Sequence, residues 1–256
     1  MPGERRTCAS NADESARPVD HRSAWQALGP PTNSAVTHLR LAAVNVGAPT
    51  LLGEVKGDRI WSGIRKQPVA PDGRLWLSWL NLAGDGQADL DVHGGPDKAV
   101  YAYPSEHLAA WADELGQALG DAPFGENLST AGVLERDVGI GDVWQWGSAT
   151  LQVTQPRWPC FRLSMFRERD DIGPRLRASG RTGWYLRVLV PGDVPVSGPI
   201  EVAERDPAGV SVLDAHLAIF DRHTSPERLR EVAEHPALAE QWQTPLRRRL
   251  EYLAAR

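Results

Sequence analysis

Glycine and proline cut most of this chain into pieces too short for anything but strands and small helices. There are 24 Gly and 20 Pro among 256 residues, and from Leu39 onward they bound segments with strand character. Residues 41–47 (LAAVNVG), 58–64 and 74–80 (RLWLSWL) each read as a strand. Val143-Trp144-Gln145-Trp146, a Gly147-Ser148 turn and residues 149–153 alternate as a β-hairpin. A second hairpin is expected from residues 184–190 and 194–202, joined at Pro191-Gly192-Asp193. One amphipathic helix stands out at residues 105–119, where Leu108, Trp111, Ala112, Leu115 and Leu119 recur at helical spacing. Residues 161–178 read as partly helical, with Gly173-Pro174 as the interruption.

The two ends differ from this middle. Residues 1–38 are polar and show neither a helical nor a strand period, which predicts a poorly ordered leader. The last segment, residues 206–256, carries Ser211 ahead of Val212, Ala215 and Ile219, then Ser225-Pro226-Glu227 as a capped helix start. Leu238, Trp242, Leu246 and Leu250 form a final helical stripe. Three short helices fit there, too small for a core of their own and expected to dock on the main domain. Residues 39–205 would then form that domain, an α+β fold in which a β-barrel-like sheet carries inserted helices.

Composition narrows the function. With 28 Lys+Arg against 33 Asp+Glu the net charge is -5, so a basic nucleic-acid-binding surface is not expected. Neither a membrane-length apolar run nor the apolar stretch of a secretory signal is visible, and a cytoplasmic location is the expectation. Two cysteines, Cys8 and Cys160, cannot supply an iron-sulfur cluster or a structural zinc site. No dinucleotide or Walker fingerprint occurs. Ten Trp should furnish core or a stacking pocket, with the 75–79 stripe read as core.

Four loops concentrate chemistry. Residues 84–89 lead to His93-Gly94-Gly95-Pro96-Asp97-Lys98, where adjacent glycines expose backbone N–H groups and a lysine follows. An anion-binding loop and a plain tight turn both fit. Phe124-Gly125-Glu126-Asn127 offers an amide and an acid for a heterocycle edge, or simply a turn with an exposed Glu. Gln155-Pro156-Arg157-Trp158-Pro159-Cys160-Phe161-Arg162 sets one thiol between prolines and arginines. Cations favour the thiolate, the form that attacks electrophiles or binds soft metals, whereas a lone Cys can also be a small core residue. Gly180-Arg181-Thr182-Gly183 places an Arg on a glycine turn, suited to a phosphate clamp or a surface ion pair. Arg247-Arg248-Arg249 reads as cations near a helix C-terminus.

In this order the loops resemble the molybdenum cofactor sulfurase C-terminal (MOSC) domain family, and in particular its YiiM-like bacterial subgroup. The residues carrying the likeness are Val44-Asn45-Val46-Gly47, Gly63-Ile64-Arg65-Lys66, residues 84–89, 93–100 and 124–128, the stretch from Gln155 to Cys160, and residues 180–188. The resemblance implies a barrel that binds molybdopterin-type molybdenum cofactor, with Cys160 as thiolate ligand to molybdenum and the residue on which catalysis depends. It also implies that Lys66, His93, Gly94, Gly95, Lys98, Asn127, Arg157 and Arg181 surround the cofactor, with Glu126 and Tyr103 as further candidates. The implied reaction is reduction of a small N-hydroxylated compound, a purine base or a relative, with Trp158 and Phe161 as stacking walls. A separate reductase would have to supply electrons, and a homodimer is left open. Two alternatives remain at this stage: a sulfur carrier holding a persulfide on Cys160, and a non-catalytic cofactor-binding module whose helical tail recruits a partner.

Overall fold

The computed structural model describes residues 38–88 and 94–255; the expected leader and His93 lie outside the described residues. The strands are β1 (His38–Val46), β2 (Thr50–Val55), β3 (Asp58–Ser62), β4 (Gln67–Pro68), β5 (Arg74–Leu77), β6 (Val100–Pro104), β7 (Leu128–Ala131), β8 (Val143–Trp146), β9 (Ala149–Pro156), β10 (Trp184–Val190), β11 (Gly192–Pro195) and β12 (Gly198–Glu204). The helices are α1 (His107–Leu115), α2 (Phe161–Arg167), α3 (Ile172–Ser179), α4 (Val212–Phe220), α5 (Pro226–Ala233) and α6 (Glu240–Ala254). Seven strands close into a barrel in the order β12-β8-β9-β10-β6-β7-β1, with β1 returning to β12. Every pairing around it is antiparallel except β6–β7. That parallel pair needs a crossover, and α1 supplies it. The barrel-type α+β fold expected from the turn spacing is the one observed.

Local chemistry explains the elements. In β8 and β9 alternate residues are buried, among them Trp144, Trp146, Leu151 and Val153. Trp111 and Leu115 turn the apolar face of α1 inward, and Gly116 ends the helix in the left-handed conformation. Ser211 and Asp214 form a reciprocal capping box on α4, and Ser225 caps α5 with Pro226 in its first turn. Arg249 donates to the carbonyls of Ala218 and Asp221 at 2.8 and 3.0 Å, so one of the three arginines serves the C-terminus of the neighbouring α4. Leu229, Val232, Trp242 and Leu246 join Trp144, Trp184 and Leu186 in one hydrophobic cluster. The C-terminal helices thus share the core of the barrel.

Three expectations are corrected. Residues 184–190 and 194–202 do not form a hairpin: β9 and β6 occupy both edges of β10, β11 pairs with β5, and β12 pairs with β8 and β1. The helical stretch after Cys160 breaks at Glu168, which has φ 53°, and not at Gly173-Pro174. Those two residues lie in the first turn of α3, where a missing N–H costs nothing. In the 75–79 stripe Leu77 is core, yet Trp76 and Trp79 are exposed.

A buried carboxylate ties α1 to the turn before β10. Glu135 accepts from Gly183 N–H at 2.8 Å and contacts His107 Nε2 at 2.8 Å. Burial raises the Glu135 pKa, but His107 and the Gly183 N–H outweigh it, leaving the group below its ordinary 4.5. A depressed carboxylate contributes stability that is complete above about pH 4.5 and is lost as pH falls through the lower folded value. Melting temperature should therefore fall on acidification below that point. Glu135→Gln should flatten this dependence and cost about 1–3 kcal/mol at neutral pH; an unchanged acid profile would contradict the assignment.

Candidate functional site

A cleft of about 590 Å³ opens where the β2–β3 hairpin, the Gly84–Ala88 loop, the end of β9 and the C-terminal helices meet. Its volume lies in the range of small-molecule sites. Glycine shapes its floor: a Cβ on Gly63 would stand 2.2 Å from the Gly86 carbonyl oxygen, so the two backbones can meet only without side chains. Gly125, with φ +73°, would press a Cβ to 2.5 Å from Ile64 Cγ1.

Asp85 organises the inner wall. Its carboxylate accepts from Gly47 N–H at 3.0 Å and Asn127 Nδ2 at 2.9 Å, and it pairs with Lys66 Nζ. Burial lowers the Lys66 pKa, with Asp85 opposing that shift. The amide of Asn127 is fully used, since it also donates to Asn45 O at 3.2 Å and accepts from Tyr101 N–H at 3.1 Å. Arg157 donates to the Phe124 carbonyl, and its guanidinium lies 4.7 Å from the Tyr101 ring centroid. Burial lowers the Arg157 pKa, but Tyr101, Tyr185 and Cys160 more than offset it, so the group stays raised. Burial also raises Tyr185, a cleft residue that remains a phenol at neutral pH.

Cys160 lies at the cleft wall, at the N-cap of α2 and within electrostatic reach of Arg157. Beside it are Trp158 and Phe161, 40% and 42% exposed, with Trp61 of β3 at 46%. Three large aromatic faces are thus available to a planar ligand. Trp158 is backed by Phe220 at 5.2 Å and Trp242 at 5.3 Å between ring centroids, so the C-terminal helices support this wall. The described lining carries five cations, Lys66, Lys98, Arg157, Arg162 and Arg177, against the single carboxylate Asp85. A chain of net charge -5 has turned this cleft positive, which attracts and holds anions.

The cleft brings together Lys66, Lys98, Asn127, Arg157 and Cys160 of the residues expected from sequence. Gly94 and Gly95 line a smaller cavity of about 200 Å³ that shares Lys98 and Gln241 with the cleft. Glu126 is buried beside the cleft, accepting from Phe124 N–H at 3.0 Å and Ser129 Oγ at 3.2 Å, and burial raises its pKa. Its acceptors build the loop. Tyr103 is core: its hydroxyl accepts from Trp111 Nε1 at 2.6 Å and donates to Arg181 O at 3.0 Å. Arg181 is not among the cleft residues; it pairs with Glu114 at 2.7 Å over the Trp111 ring. Trp61 and Arg177 were not singled out from sequence, and Asp85 and Tyr185 lay in marked stretches without a role of their own. Only Asp85 carried a local signal, an acid between two turn glycines.

Fold and site define a MOSC-domain protein. The MOSC domain family model matches residues 89–201, and the chain belongs to that family. Within it the chain is YiiM-like, because the YiiM-like 3-alpha helix domain matches residues 210–252. Protein YiiM of Escherichia coli (strain K12) is 38% identical over 184 residues, covering 71% of this chain and 82% of that one. A protein of Gibberella moniliformis named Reductase is 34% identical over 184 residues, 70% of this chain but 32% of its own length. The crystal structure of YiiM from Geobacillus stearothermophilus superposes with a TM-score of 0.68 at 29% identity, covering 83% of this chain and 99% of that one. Among the described residues no helix is long and apolar enough to cross a membrane.

Proposed function

We propose that this protein binds a molybdopterin-type molybdenum cofactor and reduces N-hydroxylated compounds, receiving electrons from a separate reductase. The observation that carries the reading is a single thiol, Cys160, in the wall of a cleft with five cations and one carboxylate. MOSC domains are associated with molybdenum-cofactor binding in general, and the donor set suits such a group. Among the described residues no cluster of three or more His, Cys, Asp and Glu offers a bare ion a cage. One soft thiolate instead suits a metal that arrives with sulfur ligands of its own.

Cys160 would hold the metal, while Lys66, Lys98 and Arg157 would neutralise the anionic groups of the cofactor. The bound group supplies two electrons to the N–O bond, which with two protons yields amine and water. Tyr185, kept protonated by burial, can donate a hydrogen bond to a ligand in the cleft. Trp61, Trp158 and Phe161 can orient a planar base by stacking. The fungal relative named Reductase has most of its length outside the matching region, room for an electron-supplying portion that a partner would replace here.

The test is turnover. Cofactor-loaded protein with a chemical reductant and an N-hydroxylated purine should give the corresponding amine at a rate well above the cofactor-free protein. No amine from a molybdenum-loaded sample would overturn the reading.

A further inference from the structure

The geometry points to Arg177 as the anchor for an anionic group on the substrate, so that the cleft prefers a planar N-hydroxylated base bearing phosphate or carboxylate over the neutral base. This rests on the reductase reading and names the substrate class of the same site. Arg177 lines the cleft from the last turn of α3, half-buried, and its guanidinium has no hydrogen-bond, ion-pair or ring partner among the described residues. The dipole of α3 accounts for a cation in that turn but not for its place in the cleft wall. Arg175, two residues earlier, takes the surface alternative and pairs with Asp171 at 2.7 Å.

Two other cations of the cleft already have partners within the protein. Lys66 is held by Asp85, and Arg157 by the Phe124 carbonyl and the Tyr101 ring. Arg177 bears the cost of burial with nothing to offset it, and burial lowers its pKa. An incoming phosphate or carboxylate would supply the missing partner in the forked geometry a guanidinium favours. With Trp61 and Trp158 in the same cleft, one ligand can stack its ring and place its anion on Arg177. Two sources of that anion share this chemistry, the substrate and the phosphate of the cofactor, and the experiment separates them.

Cofactor-loaded protein is titrated with adenine and with adenosine 5′-monophosphate, which lack the N-hydroxyl group, following tryptophan fluorescence. The monophosphate should bind at least about tenfold more tightly, the equivalent of one charged hydrogen-bonded contact. Arg177→Gln should erase that advantage and leave adenine binding and molybdenum content unchanged, with Arg177→Lys intermediate. Equal affinity for the two ligands, or an advantage that survives Arg177→Gln, overturns the inference. Loss of molybdenum in Arg177→Gln also overturns it, assigning the arginine to the cofactor phosphate. Turnover of the N-hydroxylated forms is scored separately. An Arg177-dependent preference without turnover sinks the reductase reading alone, whereas turnover without the preference sinks this inference alone.

Discussion

Cys160→Ser is expected to leave a folded protein that lacks the proposed reductase activity. The side chain makes no capping hydrogen bond on α2 and is only partly buried, so the exchange of sulfur for oxygen should shift the melting temperature little. Its effect on the metal should be large. Loss of a mere outer-shell partner costs about 10–100-fold in metal affinity or activity, and loss of a direct thiolate ligand should exceed that. Turnover measured per folded protein should therefore fall by more than about 100-fold. Activity retained within a few-fold of wild type would remove Cys160 from the metal and return it to the alternative of a small, packed residue.

Trp242→Ala should produce the largest stability loss and carry it into the cleft. Trp242 is fully buried in the core shared by barrel and C-terminal helices. Its indole N–H has no hydrogen-bond partner among the described residues, so the loss is one of packing. Removing a buried indole costs about 3–5 kcal/mol, which in a domain of this size lowers the melting temperature by about 6–20 °C. Trp158 rests on Trp242 and Phe220, so its face in the cleft should loosen and ligand-induced quenching should weaken. The conservative Trp242→Phe should recover most of both. A loss of stability with ligand quenching intact would show that the helices do not support the cleft wall.

Local signals were legible where local physics decides. Ser211 ahead of Val212, Ser225 with Pro226, and the Gly147-Ser148 turn fix their elements within a few residues, and all three are found as read. The barrel was expected, but its strand pairing was not legible, because the partners of β10 are β6 and β9 and not the β12 stretch that follows it. The Trp76 and Trp79 stripe misled because apolarity cannot tell which face of β5 meets the core. The candidate site divides in the same way. Cys160 with Arg157, and Lys66, stood in loops whose Gly, Pro and charged residues mark them. Tyr185 and Arg177 sit inside ordinary strand and helix patterns, and only the fold turns them to the cleft. Arg181 had a suitable glycine turn, but Glu114 and the Trp111 face, both on α1, hold it elsewhere.

The most direct test of the account is molybdenum and pterin per protein, measured on wild type and Cys160→Ser purified from a host that makes the cofactor. Near-stoichiometric molybdenum and pterin in wild type, with molybdenum falling sharply in the variant, is the result predicted. A folded wild-type protein that carries neither would contradict it, and sulfur carriage on Cys160 would become the function to test.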